Sequence, residues 1–390
     1  MRLLLLVLCQ GLLLTNNVTF IAINGLVGLS IAPSPWMATL PITAYVAGGA
    51  LFANLVARHQ RAFGRRRAFQ LGLCVAMVSC ALCAYAAASH SFVLLVAATM
   101  LAGYYNANAG LYRFAATEVV APRFKERAIS WVLAGGIIGA VAGPSLASAT
   151  RDVLPVPFAG AYAALIGVAL LALALISFIR FPPLPLPSAA RPGRPLREIA
   201  RQPAFVVAVV ACSLGYGVMN LLMAATPIAM LQCSHPFSST ALVLEWHVLG
   251  MYVPSFFTGS LIRRFGGLPV MSAGVVLNAV CIAVALSGVD LTHFLAALFT
   301  LGVGWNFLYV GGTTLLTETY RPEEKTSVQA ALDTAVFTTM TVTSFSSGAL
   351  ITTQGWTWLN VGSLLPVVLT ALALLWLALQ RRAALRRSVA

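Results

Sequence analysis

The chain has 390 residues, of which 59% are apolar and 9% charged, and its mean hydropathy is +0.89. A soluble protein of this size draws roughly a quarter of its residues from the charged set, so the composition excludes a soluble chain and leaves a helical integral membrane protein with the lipid bilayer as its partner. The net charge of +14 forms no nucleic-acid-binding face, because nearly all Arg and Lys sit in short clusters between apolar runs.

The first apolar run starts at Met1-Arg2-Leu3-Leu4 and continues past Phe20-Ile21 without a small-residue cleavage site, so it reads as a first membrane helix rather than a removed leader. Runs long enough to span a bilayer, about 20 residues each, lie near 3–29, 36–57, 68–88, 92–117, 127–150 and 158–180. A second set lies near 204–231, 239–262, 268–288, 292–317, 326–351 and 355–380. Between the sets stands the Pro-rich, basic stretch from Phe181 to Arg201, which cannot continue a helix. The expected organisation is a six-helix half over 1–180, a cytoplasmic linker over 181–203 and a second six-helix half over 204–390.

Charge sets the orientation. Of the 24 basic residues, 22 fall at the N-terminus, in the linker, in the tail and in alternate loops, including Arg58, Arg61, Arg65–Arg67, Arg123, Arg191 and Arg263–Arg264. The opposite loops hold only Arg151, and Arg113 lies within a span. Both termini and the linker are therefore expected in the cytoplasm. The halves also repeat: Leu101, Asn106, Thr117, Glu118, Pro122 and Lys125 recur 200 positions later as Leu301, Asn306, Thr317, Glu318, Pro322 and Lys325. Parallel duplication is a recurring transporter design. The seven cysteines lie mostly within apolar runs and build no disulfide framework.

Polar groups inside spans are the candidates for function. The seventh span carries Met219 and Met223, the eighth His247 and Met251, each pair spaced i, i+4 on one helix face. Met223 and His247 are each 12 residues from His235, and Met219 and Met251 each 16, so an antiparallel pair joined there sets the four at matching depths. Three thioethers and an imidazole form a soft, neutral set suited to Cu(I). The same spacing also serves core packing or an organic-ligand pocket. Cys233, beyond the outer end of the seventh span, is a candidate metal relay, or simply a small residue at a helix end. Arg113 and Asp333 are candidates for a gating pair or a static ion pair, and Glu245 for proton coupling or for attracting cations at the mouth. Asn17, Asn106 and Asn306, with Tyr105, Trp246 and Trp305, would suit a flat heteroaromatic ligand needing stacking surfaces and amide partners, or else serve as packing glue. No nucleotide-binding loop, catalytic metal motif or paired carboxylate is legible, so no enzyme and no resident cofactor is expected.

Gly64-Arg65-Arg66-Arg67 after the second span and Gly259 through Gly266 after the eighth resemble the basic loop signature of the major facilitator superfamily. The first copy departs from it, because Ala57-Arg58-His59-Gln60 stands where that family carries an Asp. The resemblance implies an all-α membrane protein with 12 transmembrane helices in two six-helix halves. The Met-x-x-x-Met and His-x-x-x-Met pairs, with Glu245 through Met251 and Gly304 through Thr314, are similar to the CcoA-like transporters. That resemblance implies copper import, with Met219, Met223, His247 and Met251 as ligands, supply to cytochrome oxidase assembly and a cytoplasmic copper chaperone as partner. The same family includes riboflavin importers, which keeps riboflavin or a related aromatic solute as the alternative.

Overall fold

The computed structural model describes residues 1–121, 124–182 and 193–389. Residues 183–192 of the Pro-rich linker, Arg191 among them, and Pro122 and Arg123 lie outside the described residues. Among those described there is no strand. This follows from the solvent: in a bilayer core each backbone amide must find its partner within the chain, and a helix does so within one segment.

The helices are α1 (Arg2–Ile31), α2 (Leu40–Ala88), α3 (Phe92–Ala109), α4 (Tyr112–Glu118), α5 (Lys125–Ala134), α6 (Gly136–Thr150), α7 (Ala159–Ser177) and the short α8 (Leu196–Ile199). They continue with α9 (Pro203–Gln232), α10 (Phe237–Tyr252), α11 (Ser255–Phe265), α12 (Gly267–Ser287), α13 (Leu291–Leu316), α14 (Lys325–Thr353) and α15 (Gly355–Val389).

By length and apolarity, nine helical stretches among the described residues suffice to cross a membrane. Three local features account for the difference from twelve spans. Helix α2 holds two spans joined at Gly64, whose φ of 75° and ψ of 166° break the helix. No atom lies within 4 Å of where a Cβ would stand there, so the backbone conformation, not crowding, calls for glycine. The eighth span is split at Val253-Pro254 into α10 and α11, of 16 and 11 residues. Helix α14 has the length, at 29 residues, but carries eight Thr and four Ser. Its hydroxyls are accommodated by bonding back along the helix: Thr334 to Ala330 O, Thr339 to Ala335 O and Thr341 to Phe337 O, all within 2.9 Å.

Contacts divide the chain into two compact units. One comprises Met1–Leu186, Met223–Leu249 and Ser344–Thr353; the other comprises Pro187–Leu222, Gly250–Thr343 and Gln354–Ala390. In the first unit α2 packs along α3 and α7, and α1 along α6. The α1–α6 seam is made by small residues one turn apart: Gly135, Gly139 and Gly143 face Gly11, Leu14, Thr15 and Val18 of α1. A Cβ on Gly139 would overlap Leu14 Cβ and the Thr15 amide, while Thr19 Oγ1 donates to Gly143 O at 3.0 Å. Lipid offers no hydrophobic drive between helices, so such close backbone approach supplies the packing. The first unit also includes a clasp between Thr39, whose Oγ1 donates to Ser344 O at 2.6 Å, and Gly348, whose amide donates back to Thr39 Oγ1 at 2.9 Å.

In the second unit α12 packs on α13 and α15. Its core gathers Val207, Ala211, Leu308, Leu315, Leu332 and Leu374 from α9, α13, α14 and α15.

Candidate functional site

Two polar and aromatic constellations stand out, one in each unit. In the first unit Asn17 of α1 and Asn106 of α3 are half-buried. Asn17 Nδ2 donates to Asn106 Oδ1 at 3.0 Å, and the Tyr45 hydroxyl of α2 donates to Asn17 Oδ1. The Tyr45 ring stacks on Phe20, with centroids 5.3 Å apart and planes 18° apart. Tyr105 is buried on α3, and the Asn16 amide nitrogen, also buried, has no hydrogen-bond partner. This is a set of neutral amides and hydroxyls with spare donor capacity, backed by aromatic rings.

In the second unit Trp305 and Tyr309, four residues apart on α13, stack face to face, with centroids 5.2 Å apart and planes 9° apart. Tyr216 of α9 meets both edge-on at 5.1 and 5.4 Å, and Tyr252 meets Trp305 at 6.3 Å. Trp305 is 5% exposed and its indole N–H has no partner, whereas Tyr216 and Tyr309 are half-buried. A buried indole N–H is normally paired, so this one is available to a ligand acceptor.

Asn306 stands beside Trp305 but does different work. Its Nδ2 donates to Met251 O at 2.7 Å and to Ser255 Oγ at 2.6 Å, and its Oδ1 accepts from Thr258 Oγ1 at 2.7 Å. These partners flank the Pro254 break between α10 and α11. The amide replaces helix bonding lost there, and these partners take up both its donors and its oxygen. Its repeat counterpart Asn106 instead bonds Asn17.

Met219, Met223, His247 and Met251 are all buried; Met219 and Met223 lie one turn apart on α9, and His247 and Met251 one turn apart on α10. Among the described residues no group of three or more His, Cys, Asp or Glu is placed to hold a metal. Cys233 is half-buried just past α9. Glu245 is half-buried on α10, and Trp246 beside it is 48% exposed. Arg113, in the first unit, lays its guanidinium 4.8 Å from the Phe114 ring; Asp333, in the second, is exposed on α14.

Sequence reasoning missed two carboxylate anchors and treated their arginines as topology markers alone. Glu118 takes Arg65 through Nε at 3.2 Å and Nη2 at 2.7 Å. Glu324, buried in the loop before α14, takes Arg194 through Nε, Nη2 and backbone N at 2.8–2.9 Å, and the Arg321 amide at 2.9 Å. The Arg194 hydrogen bonds, then the Arg321 amide, hold the Glu324 carboxyl well below the usual carboxylate range against the opposing effect of burial. Tyr45, Phe20 and Tyr216 were missed as well, because nothing in their spacing marks them as ring partners.

Long apolar helices with polar residues gathered inside them define a multi-pass membrane protein. The family model of the Major Facilitator Superfamily matches residues 3–244 and 214–389, and the chain belongs to that superfamily. It is 38% identical over 383 residues to the riboflavin transporter RfnT of Brucella anthropi, covering 97% of this chain and 96% of that one. Among solved structures it is similar to a D-xylose–proton symporter, with a TM-score of 0.73, 13% identity and coverage of 95% of this chain and 96% of that chain. It is also similar to a bacterial metal transporter, with a TM-score of 0.69, 13% identity and coverage of 96% and 97%. Both likenesses show the fold alone.

The expectation of copper import is thereby corrected. The whole-chain likeness is to a riboflavin transporter, and neither copper nor a copper chaperone has support. The physical reason is that Met-x-x-x-Met and His-x-x-x-Met mark one face of a helix. Apolar packing fills such a face with flexible thioethers as readily as a metal does.

Proposed function

We propose that this chain imports riboflavin, or a flat heteroaromatic solute of the same kind, across the bacterial inner membrane by alternating access. The observation that carries the reading is the 38% identity to a riboflavin transporter along nearly the full length of both chains. The site chemistry agrees with it. An isoalloxazine ring needs stacking surfaces and partners for its carbonyl and ring-nitrogen acceptors. The second unit, by itself, offers the Trp305–Tyr309 stack, the Tyr216 ring edge-on to it and an indole donor without a partner in the chain. The solute is recognised without a fixed charge, which suits a neutral ring. The basic loops favour cytoplasmic termini and linker. Arg113, Glu245 and Asp333 are our candidates for gating or proton coupling, and Cys233 has no role in this scheme.

The test is uptake of radiolabelled riboflavin by a riboflavin-requiring bacterium that lacks its own importer. Cells expressing the wild type should accumulate label, and Trp305→Ala should lose accumulation at unchanged protein level in the membrane. Growth and uptake no better than in empty-vector cells, with the protein present, would sink the proposal.

A further inference from the structure

The backbone adopts the left-handed region at three non-glycine positions among the described residues: His90 with φ 52°, Phe158 with φ 65° and Ser234 with φ 62°. Side chains with a Cβ resist this conformation, and single residues held there cluster at functional sites. Two of the three have a local cause for the turn. His90 and Ser234 each follow the last turn of a helix, where Ser91 N bonds Ala86 O and His235 N bonds Met230 O, and glycine is the usual residue. That cause accounts for the backbone but not for the choice of His and Ser over Gly.

All three residues line one cavity of about 590 Å³ in the first unit. It lies at the ends of α1, α2 and α9 and the starts of α7 and α10, away from the basic turn at Gly64. The volume suits a small molecule. Arg151 also lines it, with its guanidinium 5.5 Å from the Phe158 ring and 5.8 Å from the Phe237 ring. Those two rings meet edge-on at 4.9 Å. The guanidinium is thus held against two aromatic faces. Its Nε is buried and makes no hydrogen bond; its ionic neighbour is Asp152 at 3.5 Å, whose side chain is 73% exposed. His235 adds an imidazole to the wall. The loops at this end carry little other positive charge, so Arg151 is not explained by membrane topology.

We propose that this cavity is a second ligand site, separate from the Trp305 and Asn17 constellations, that takes a small aromatic solute bearing an anionic group. Phe158 and Phe237 receive the ring, and the Arg151 guanidinium receives the carboxylate or phosphate. The site does not depend on what the protein transports.

Riboflavin phosphate and riboflavin share one ring and differ in charge, so together they test both halves of the proposal. Flavin fluorescence quenching would be measured with the purified full chain in nanodiscs of zwitterionic lipid. With the riboflavin constellation disabled by Trp305→Ala, the chain should bind riboflavin phosphate about tenfold or more tightly than riboflavin, as expected for one charge-assisted contact. Arg151→Gln should abolish that preference, Arg151→Lys should retain part of it, and Phe237→Leu should weaken the phosphate ester while Arg151 stays in place. Arg151→Gln should still take up whatever the wild type transports, which guards against misfolding. Trp305→Ala should bind riboflavin phosphate normally even where it loses riboflavin uptake, so failure of the transport reading and failure of this one are distinguishable. Equal affinity of Trp305→Ala for the two flavins, or an unchanged preference when Arg151→Gln is added to it, would overturn the proposal. So would displacement by inorganic phosphate at equal concentration, which would leave the ring no role, or loss of binding when anionic lipid is added, which would make the occupant a lipid headgroup.

Discussion

Trp305 and Asn306 are adjacent in sequence and opposite in role. Trp305 presents an unpaired donor on a stacked aromatic face, whereas the Asn306 side chain spends its donors and its oxygen on the Pro254 break. Trp305→Phe keeps the stack on Tyr309 and loses the N–H, so its uptake should show a raised KM with the maximal rate largely kept; Trp305→Ala should lose both. Asn306→Ala removes the donor to Met251 O in the buried break, while Thr258 Oγ1 keeps Pro254 O at 2.8 Å and the exposed Ser255 turns to other partners. With a buried orphan costing about 1–3 kcal/mol, the purified protein should melt a few degrees lower in a thermal-shift assay. The Met residues give a contrasting expectation. Met219→Leu/Met223→Leu conserves volume, a change that usually costs under about 1.5 kcal/mol, and riboflavin uptake should stay within about twofold of wild type. A complete loss of uptake in this double variant would restore a substrate role to the thioethers.

At the scale of elements, the α1–α6 seam and the loop before α14 carry the clearest consequences. Gly139→Val places two methyls where Leu14 and Thr15 already stand, which should drive the helices apart and sharply lower the amount of protein in the membrane. Gly167 of α7 is the control, because a Cβ there meets nothing within 4 Å, and Gly167→Val should accumulate normally. Fluorescence size-exclusion profiles of tagged variants would separate the two. The Arg194–Glu324 clamp joins residues 130 apart in sequence, within the second unit. Because the folded Glu324 carboxyl titrates below its unfolded value, its stabilisation is fully present above the ordinary carboxylate range. It is lost as the pH falls through the depressed value. Glu324→Gln should therefore be less stable than wild type at pH 7 and should lose less of its stability between pH 5 and pH 3. Parallel melting curves for the two proteins would cross out the clamp.

For the whole molecule, local motif and full-length likeness pointed to different cargo. The Met/His spacing resembled copper importers, but the likeness that runs through 97% of the chain is to a riboflavin transporter. Substrate choice in this fold resides in side chains from helices far apart in sequence, so four residues on two adjacent helices weigh less than the chain as a whole. Paired uptake assays should show accumulation of labelled riboflavin and background copper in the same cells.

Multi-pass membrane character, helical class and twelve spans were legible in the sequence. Each follows from chain-local physics: hydropathy over about 20 residues, prolines that end helices, and basic loops that mark one side. Candidate residues were legible as types, since any polar side chain within a span is a candidate. Their roles were not. That Asn306 mends a helix break while Asn106 bonds Asn17, and that Trp305 lies flat on Tyr309 with its donor unspent, depends on how residues from different helices meet. So does the meeting of His90, Arg151, Phe158 and Ser234 around one cavity. Periodicity fixes which face of a helix a residue occupies, but only tertiary packing decides what lies opposite that face.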